Sequence, residues 1–400
     1  MAHVAWLGKK SPFCGNVTYG LSTTEALRQR GHAVSFIHFD TPAAGLGLLE
    51  PTRQEPARSP AEPEPGRGGD PDVALPYLVK SQVYTIPSPG AQRELRESLE
   101  RLRPDLVHAS LTLSPLDFRL PDLCQQLGLP LVATFHPAFD AGLRNLAAGT
   151  QQLTYQLYAP SLARYDRVIV FSELQAGVLE RLGVRPERIA VIPNGVDEQV
   201  WRPAGAVPSA AHRELAARFA GRRVFLYMGR ITTEKNVEAL LRAWRLVRPE
   251  GCVLVIVGDG PLRGLLQNNG ETDVVWWGIE ANLERRVALL QLAEVFLLPS
   301  LVEGLSLALL EAMASGTACV ATDAGADGQV LEGGAGIVIR TQGVTTQLRT
   351  LLPVLRDQPV LTAELGRRAR LRVQERYTLR CNIDALERLY GDVMHQPVAA

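Results

Sequence analysis

The sequence predicts an α/β protein made of two doubly wound domains that face each other across a cleft. Three observations carry this expectation. The chain has 400 residues, too many for one ordinary core of this class and suited to two of about 150 to 200 residues each. Short apolar runs recur along its length with helical patterns between them, the alternation that builds a parallel sheet covered by helices. Finally, the turn Pro193-Asn194-Gly195-Val196-Asp197, followed by a linker at 203–209, divides these runs into two series.

The first series opens as strand, loop, helix and strand, at 3–7, 8–15, up to Gly31, and 33–39. From about 41 to 76 the chain is rich in Pro, Gly, Glu and Arg, and Pro56, Pro60, Pro63, Pro65 and Pro71 oppose regular structure, so this segment reads as a flexible surface insertion. Strands resume at 105–109, 131–135 and 167–171, and 189–192 still fits the same sheet. The second series comprises 224–228, 253–257, 274–276, 295–298, 318–321 and 336–339, with helices at 236–247, 283–292 and 305–314. The charge-rich stretches 94–103 and 367–376 read as solvated helix faces. An amphipathic stretch at 383–393 closes the chain. The expected domains are 1–198, 199–377 and a C-terminal helix within 378–400 that packs back on the first domain.

Composition excludes several classes. Forty-two basic residues balance 42 acidic ones, so no global field selects nucleic acid or anionic lipid, and membrane contact has to arise locally. Five cysteines, Cys14, Cys124, Cys252, Cys319 and Cys381, form no C-x-x-C pair and have no histidine at metal-ligand spacing, which points to a reduced, cytoplasmic protein without a metal site. The first ten residues resemble a buried strand rather than a signal peptide or a membrane span.

The chemistry concentrates in three places. In the segment 299–316, a buried strand is followed by Glu303-Gly304-Leu305-Ser306-Leu307 and a helix carrying Glu311. Gly304 permits close backbone approach and the helix start offers unpaired N–H groups, which suits a phosphate. Eight residues of helix would separate the two carboxylates by roughly 12 Å, placing one at a sugar and the other at a ribose. An ordinary helix with an acidic residue before its start explains the segment equally well. In the second place, Gly229 to Asn236, Arg230 and Lys235 offer a fork and a point charge for a diphosphate, or simply a solvated basic loop. The third place is His136, just after an N-domain strand, where open α/β sheets place ligands. Gly15 and Asn16 mark a loop that suits an acceptor or a phosphate but lacks a full G-x-G-x-x-G. Val257-Gly258-Asp259-Gly260-Pro261 reads more simply as a strand-to-helix turn.

In order and spacing, Ile192 to Asp197, Gly229-Arg230 with Glu234-Lys235-Asn236, Val257 to Pro261 and Glu303-x7-Glu311 together resemble the family-four retaining glycosyltransferases. The resemblance implies a GT-B fold of two Rossmann-like domains, a nucleotide-sugar donor held by the C-terminal domain, an acceptor held by the N-terminal one, retention of configuration, and neither cofactor nor obligatory metal. On these motifs Arg230 and Lys235 match the diphosphate contacts and Glu303 the carboxylate at the donor sugar. Gly304, Leu305, Ser306 and Leu307 match the amides at the phosphate, Glu311 the ribose ligand, and His136 a histidine near the transferred sugar. Two departures stand out: Cys14-Gly15-Asn16 replaces paired glycines, and Gly325-Ala326-Asp327-Gly328 lacks the usual acidic end.

More finely, residues 6–19, 80–87 and 108–117 look like cyanobacterial digalactosyldiacylglycerol synthases. That implies UDP-galactose as donor, monogalactosyldiacylglycerol as acceptor, and an enzyme resting peripherally on the cytoplasmic face of a membrane. The stretch 139–165 mixes Leu143, Leu146, Leu153, Tyr155, Leu157, Tyr158 and Leu162 with Arg144 and Arg164. It reads mostly as core packing, with one face available for lipid. A soluble acceptor, or an inert sugar-nucleotide-binding protein, stays open as an alternative.

Overall fold

A computed structural model describes residues 1–11, 14–42, 72–81, 84–139, 146–268 and 270–395. In the first domain β1 (His3–Leu7), β2 (Ala33–Pro42), β3 (Val73–Lys80), β4 (Thr85–Pro87), β5 (Leu106–Ser110), β6 (Leu131–Thr134), β7 (Arg167–Val170) and β8 (Ile189–Val191) form one sheet, ordered β4-β3-β2-β1-β5-β6-β7-β8. All neighbours are parallel except β3 and β4. In the second, β9 (Arg223–Met228), β10 (Cys252–Val257), β11 (Val274–Gly278), β12 (Ala293–Leu298), β13 (Ala318–Thr322) and β14 (Ile337–Ile339) form a parallel sheet, ordered β11-β10-β9-β12-β13-β14.

Unbroken apolar runs explain why these are central strands. Every residue of β5, β10 and β13 is buried, as required of parallel strands with helices on both faces. Alternate residues go to opposite layers. Val4, Trp6 and Phe36 pack on one side of the first sheet, whereas Ala5, Leu7 and Ile37 pack on the other. The strand order reverses between β1 and β5, and again between β9 and β12. At such a reversal the connections leave in opposite directions, which opens a crevice at the carboxyl ends of the strands.

The helix Leu379–Met394, at the end of the described chain, packs on the first domain. Its Ile383, Leu386, Leu389, Tyr390 and Val393 are buried against Val4, Trp6, Leu27, Val132 and Ile169. The crossover is stitched to the turn at Asn194-Gly195: Val196 N–H donates to Tyr377 O (2.9 Å), Leu379 N–H to Val196 O (2.8 Å) and Asn382 Nδ2 to Pro193 O (2.6 Å). Gly195 is needed here, because a Cβ would lie 2.7 Å from Thr378 O and Leu379 Cα. Its backbone approaches too closely for any side chain.

Two sequence expectations need correction. The insertion is shorter than 41–76 at both ends, since residues 41–42 continue β2 and 73–76 begin β3. Thr41 pairs with Pro76 and Pro42 with Tyr77 after a register shift, and such an irregularity is where a strand tolerates the N–H that proline lacks. Residues 43–71 lie outside the described ones. The helix expected at 305–314 begins only at Leu307. In the stretch 139–165, Tyr155, Tyr158, Leu162 and Tyr165 are core, whereas Leu153 and Leu157, four residues apart, are 66% and 63% exposed. Leu143 and Arg144 lie outside the described residues.

Candidate active site

In the C-terminal domain both arms of the site leave the sheet at its reversal. After β9 the loop turns through Gly229 to Lys235, and Tyr227 Oη donates to Arg230 O (2.5 Å). The Gly258-Asp259-Gly260 turn buttresses it. A Cβ on Gly258 would lie 1.9 Å from Gly229 O and one on Gly260 2.3 Å from Ile231 O, so these glycines serve close backbone packing rather than a ligand. Lys235 ends a single 3-10 turn, Thr233–Lys235. After β12 the chain passes through Ser300 to Glu303, and Leu301 N–H donates to Glu234 O (2.8 Å), tying the two arms together.

Across this reversal Lys235 Nζ forms an ion pair with Glu303 Oε1, which also accepts from Ser300 Oγ (2.7 Å). Both side chains are largely buried, at 16% and 9% exposure. A desolvated pair of this kind is costly to break from one side, because the remaining charge is left uncompensated. Arg230, on the same loop, lies 3.1 Å from Glu234. Each of the two predicted cations thus has its own carboxylate neighbour.

The start of the helix Leu307–Ala314 differs from the expected amide cradle. Ser306 is the N-cap, in extended conformation, and its Oγ accepts from Leu309 N–H (3.3 Å), a cap that starts the helix two residues later than expected. Glu303 and Glu311 therefore do not share one helix, and the rise of an eight-residue helix does not set their separation. Ser306 N–H, one of the four amides expected at a phosphate, is already given to Asp327 Oδ1 (2.9 Å). Leu307 and Ala308 N–H make no hydrogen bond among the described residues, so they are the open donors of the helix's first turn.

Glu311 is buried, at 8% exposure. Burial pushes its carboxyl up to about 7, with Arg286 pulling the other way. Asp327, fully buried beneath the same loop, escaped the sequence reading. Burial and then the Glu303 charge hold its carboxyl well above the usual range, and its Oδ2 has no partner among the described residues. An acidic residue inside a Gly-Ala-Asp-Gly turn carries no periodic signal, so only the fold reveals it.

The loop at Glu303–Leu305 also meets the N-terminal domain. Phe139 N–H donates to Glu303 O (2.9 Å), Asn194 Nδ2 donates to Leu305 O (3.0 Å), and a Cβ on Gly304 would lie 3.3 Å from His136 O. His136 and Glu303, far apart in sequence, are thus brought to one cleft.

On the N-terminal side His136 follows β6. Its ring packs against Tyr19 (centroids 5.0 Å) and Phe171 (5.4 Å), which also touch each other (6.1 Å). Burial, then the Lys9 charge, pushes its pKa down to about 3, so the imidazole is neutral at any working pH. Ser110 Oγ lies 2.8 Å from His136 Nε2 and donates to Asn16 Oδ1 (2.7 Å), while Asn16 Nδ2 donates to Leu111 O (3.1 Å). Asn16 thus bonds across the β1/β5 reversal. Gly15, the first residue of the helix Gly15–Gln29, has nothing within 4 Å of a would-be Cβ. No other steric demand explains it.

Behind this layer runs a fully buried polar chain. Tyr390 Oη lies 2.6 Å from His108 Nδ1, His108 Nε2 lies 2.7 Å from Thr134 Oγ1, and Thr134 Oγ1 lies 3.2 Å from Tyr19 Oη. The sequence alone assigns no role to any of the four. Their polar tips sit on otherwise apolar runs. Among the described residues no group of three His, Cys, Asp or Glu is arranged to hold a metal ion, and no helix is long and apolar enough to cross a membrane.

Residues 15–200 match the family model Glycosyltransferase Family 4, and residues 222–357 match the model Glycosyl transferases group 1. Both halves of the chain are glycosyltransferase family domains. The boundary between the two matched segments falls in the linker after the Asn194-Gly195 turn. The putative glycosyltransferase EpsF of Bacillus subtilis is 36% identical over 163 residues, covering 38% of this chain and 40% of EpsF. The UDP-Gal:alpha-D-GlcNAc-diphosphoundecaprenol alpha-1,3-galactosyltransferase of Escherichia coli is 28% identical, covering 54% of this chain and 57% of that enzyme. The chain thus matches about half the length of these relatives. Anabaena HepE in complex with UDP-glucose superposes with a TM-score of 0.74 at 17% identity, covering 98% of this chain and 100% of HepE. The two Rossmann-like domains of this glycosyltransferase-family chain form the GT-B fold.

Proposed function

We propose that the protein is a glycosyltransferase that transfers a hexose from a nucleotide-sugar donor, with retention and without an obligatory metal. The observation that carries this reading is the buried Lys235–Glu303 pair beside the open helix start at Leu307, facing His136 across the cleft. Lys235 and Arg230 would offset the charge of the leaving diphosphate, and the Leu307 and Ala308 amides would receive one phosphate. Glu303 would orient donor hydroxyls and Glu311 the ribose. The UDP-glucose complex of HepE and the UDP-Gal enzyme of E. coli support a uridine donor.

As donor and acceptor we propose UDP-galactose and monogalactosyldiacylglycerol, giving digalactosyldiacylglycerol, on the resemblance of residues 6–19, 80–87 and 108–117. The acceptor of the E. coli relative is likewise lipid-linked, as its name states. A peripheral position on the cytoplasmic face of a membrane goes with this reading. The helix Leu146–Leu162, which contains no charged residue and exposes Leu153 and Leu157, supports it. A panel of UDP- and GDP-sugars against monogalactosyldiacylglycerol, soluble glycans and sugar phosphates tests both levels. A galactolipid product from UDP-galactose is the expected result. Product only with a soluble acceptor would move the proposal to that class, and no transfer from any donor would remove it.

A further inference from the structure

We infer that Asn16 and Ser110 are positioning residues that lock His136 as the neutral Nε2–H tautomer and leave Nδ1 as its hydrogen-bond acceptor for a substrate hydroxyl. This rests on the transferase reading only for the identity of the hydroxyl. The lock itself follows from donor and acceptor bookkeeping.

The chain of assignments starts at a group with no choice. Leu111 O can only accept, so the Asn16 side-chain atom 3.1 Å from it is the NH2. That orientation turns Asn16 Oδ1, also an acceptor only, toward Ser110 Oγ at 2.7 Å, and the serine hydroxyl proton is spent there. Ser110 Oγ therefore meets His136 Nε2 at 2.8 Å as an acceptor. The bond requires the proton on Nε2, and a neutral ring then carries its lone pair on Nδ1, which has no hydrogen-bond partner among the described residues.

Three further features hold the ring in this state. Tyr19 meets it edge-on at 70° and 5.0 Å, and Phe171 covers it at 5.4 Å, so it cannot flip without disturbing two aromatic neighbours. Burial and the nearby Lys9 ammonium oppose protonation. Ser110 is 1% exposed, and Asn16, in the first turn of Gly15–Gln29, bridges from the helix that follows β1 to the end of β5. The lock is therefore built on the rigid sheet reversal rather than on a mobile loop. It follows that His136 cannot deliver a proton. It takes a hydrogen bond from a hydroxyl and so orients it.

The test is 15N-histidine NMR on the full chain, with the His136 signals assigned by their loss in His136→Gln. In wild type the expected pattern is protonated Nε2, bare Nδ1 and no titration between about pH 5 and 9. In Ser110→Ala and in Asn16→Ala, which removes the acceptor of the serine proton, a mixture of the two tautomers is expected. In transferase assays both variants should lose about tenfold to a hundredfold in kcat with KM for the donor within about twofold. Protonated Nδ1 in wild type, an imidazolium titrating between pH 5 and 9, or an unmixed Nε2–H signal in both variants would each overturn the proposal. If Ser110→Ala fails to fold, Asn16→Ala, at a half-buried position, decides alone. If no donor is ever turned over, the NMR result still decides the lock, while the transferase reading falls separately.

Discussion

The two halves of the cleft solve the same topological problem with opposite chemistry. In each sheet the strand order reverses once, and in each a side-chain bond spans the reversal. In the C-terminal domain it is Lys235 to Glu303, a desolvated ion pair joining the loops after β9 and β12. In the N-terminal domain it is Asn16 to Ser110, a neutral hydrogen bond joining the helix that follows β1 to the end of β5. The difference teaches what each half is prepared for. A charged bridge beside an open helix start suits a ligand that brings or develops negative charge, because the ammonium is already desolvated and aimed. A neutral bridge that ends on an uncharged imidazole suits the recognition of hydroxyls, where an unpaired charge would be costly.

The sharpest way to break this comparison is to remove the charged bridge. Lys235→Ala leaves Glu303 buried with only Ser300 as a partner, so the fold should lose about 3 to 5 kcal/mol, measurable by urea unfolding. Turnover at saturating donor should fall about 10² to 10³-fold if the ammonium acts on the leaving group. The double variant Lys235→Ala with Glu303→Gln should recover most of the stability and none of the turnover. Recovery of both would make the pair a structural brace and nothing more.

Next in size is the pH dependence set by Glu311. Its carboxyl is raised from an ordinary 4.5 to about 7 by burial, so between these values the folded protein binds more protons than the unfolded chain. Stability therefore falls as pH rises from about 4.5 to 7 and stays low above that. The shift corresponds to about 3 kcal/mol at about 1.36 kcal/mol per unit. Glu311→Gln, which carries no such titration, should show a flatter curve and should gain on wild type most at pH 8. Parallel stability curves for the two proteins would show that the Glu311 carboxylate is not desolvated.

What the sequence made legible follows the same division. The C-terminal residues announce themselves, because charged side chains on Gly-containing loops after apolar strands have no packing reason to be there. Arg230, Lys235 and Glu303 were found on that ground, and Glu311 by its spacing from Glu303. The details that escaped are backbone ones. The helix starts at Leu307 rather than Leu305 because Ser306 takes the cap, and Ser306 N–H goes to Asp327, a partner 21 residues away. On the N-terminal side His136 and the Gly15-Asn16 loop were visible. Ser110, Thr134, Tyr19 and His108 are polar atoms on side chains that otherwise read as strand or helix core, and their partners lie 26 to 282 residues away. No local pattern encodes a pairing over such distances.

A third, smaller effect tests the neutral half. Tyr390→Phe removes the hydroxyl 2.6 Å from His108 Nδ1 and leaves that buried nitrogen without a partner, at a cost of about 1 to 3 kcal/mol. Because Tyr390 sits on the helix that crosses from the C-terminal domain, the loss should appear as lower thermal stability of the N-terminal domain. Donor KM should stay within about twofold, since no charged group is touched. A large change in donor KM would mean that the polar chain transmits to the donor loop, and the two halves would then be less independent than their chemistry implies.

The smallest expected effect lies where the halves meet. Asn194 Nδ2 donates to Leu305 O at 3.0 Å, yet Asn194 Oδ1 is itself buried without a partner among the described residues. Asn194→Ala therefore loses one good bond and also removes one unsatisfied oxygen. These terms oppose each other and should leave a net loss of about 1 kcal/mol in stability. The Leu305 carbonyl sits one residue from the Ser306 cap, so freeing it loosens the loop before the helix start, and UDP affinity by calorimetry should weaken about fivefold, the equivalent of that same energy. Phe139 N–H still holds Glu303 O, which limits the damage. A loss of UDP affinity as large as that of Lys235→Ala would place the decisive contact at the domain junction rather than across the sheet reversal, and would overturn the division drawn between the two halves.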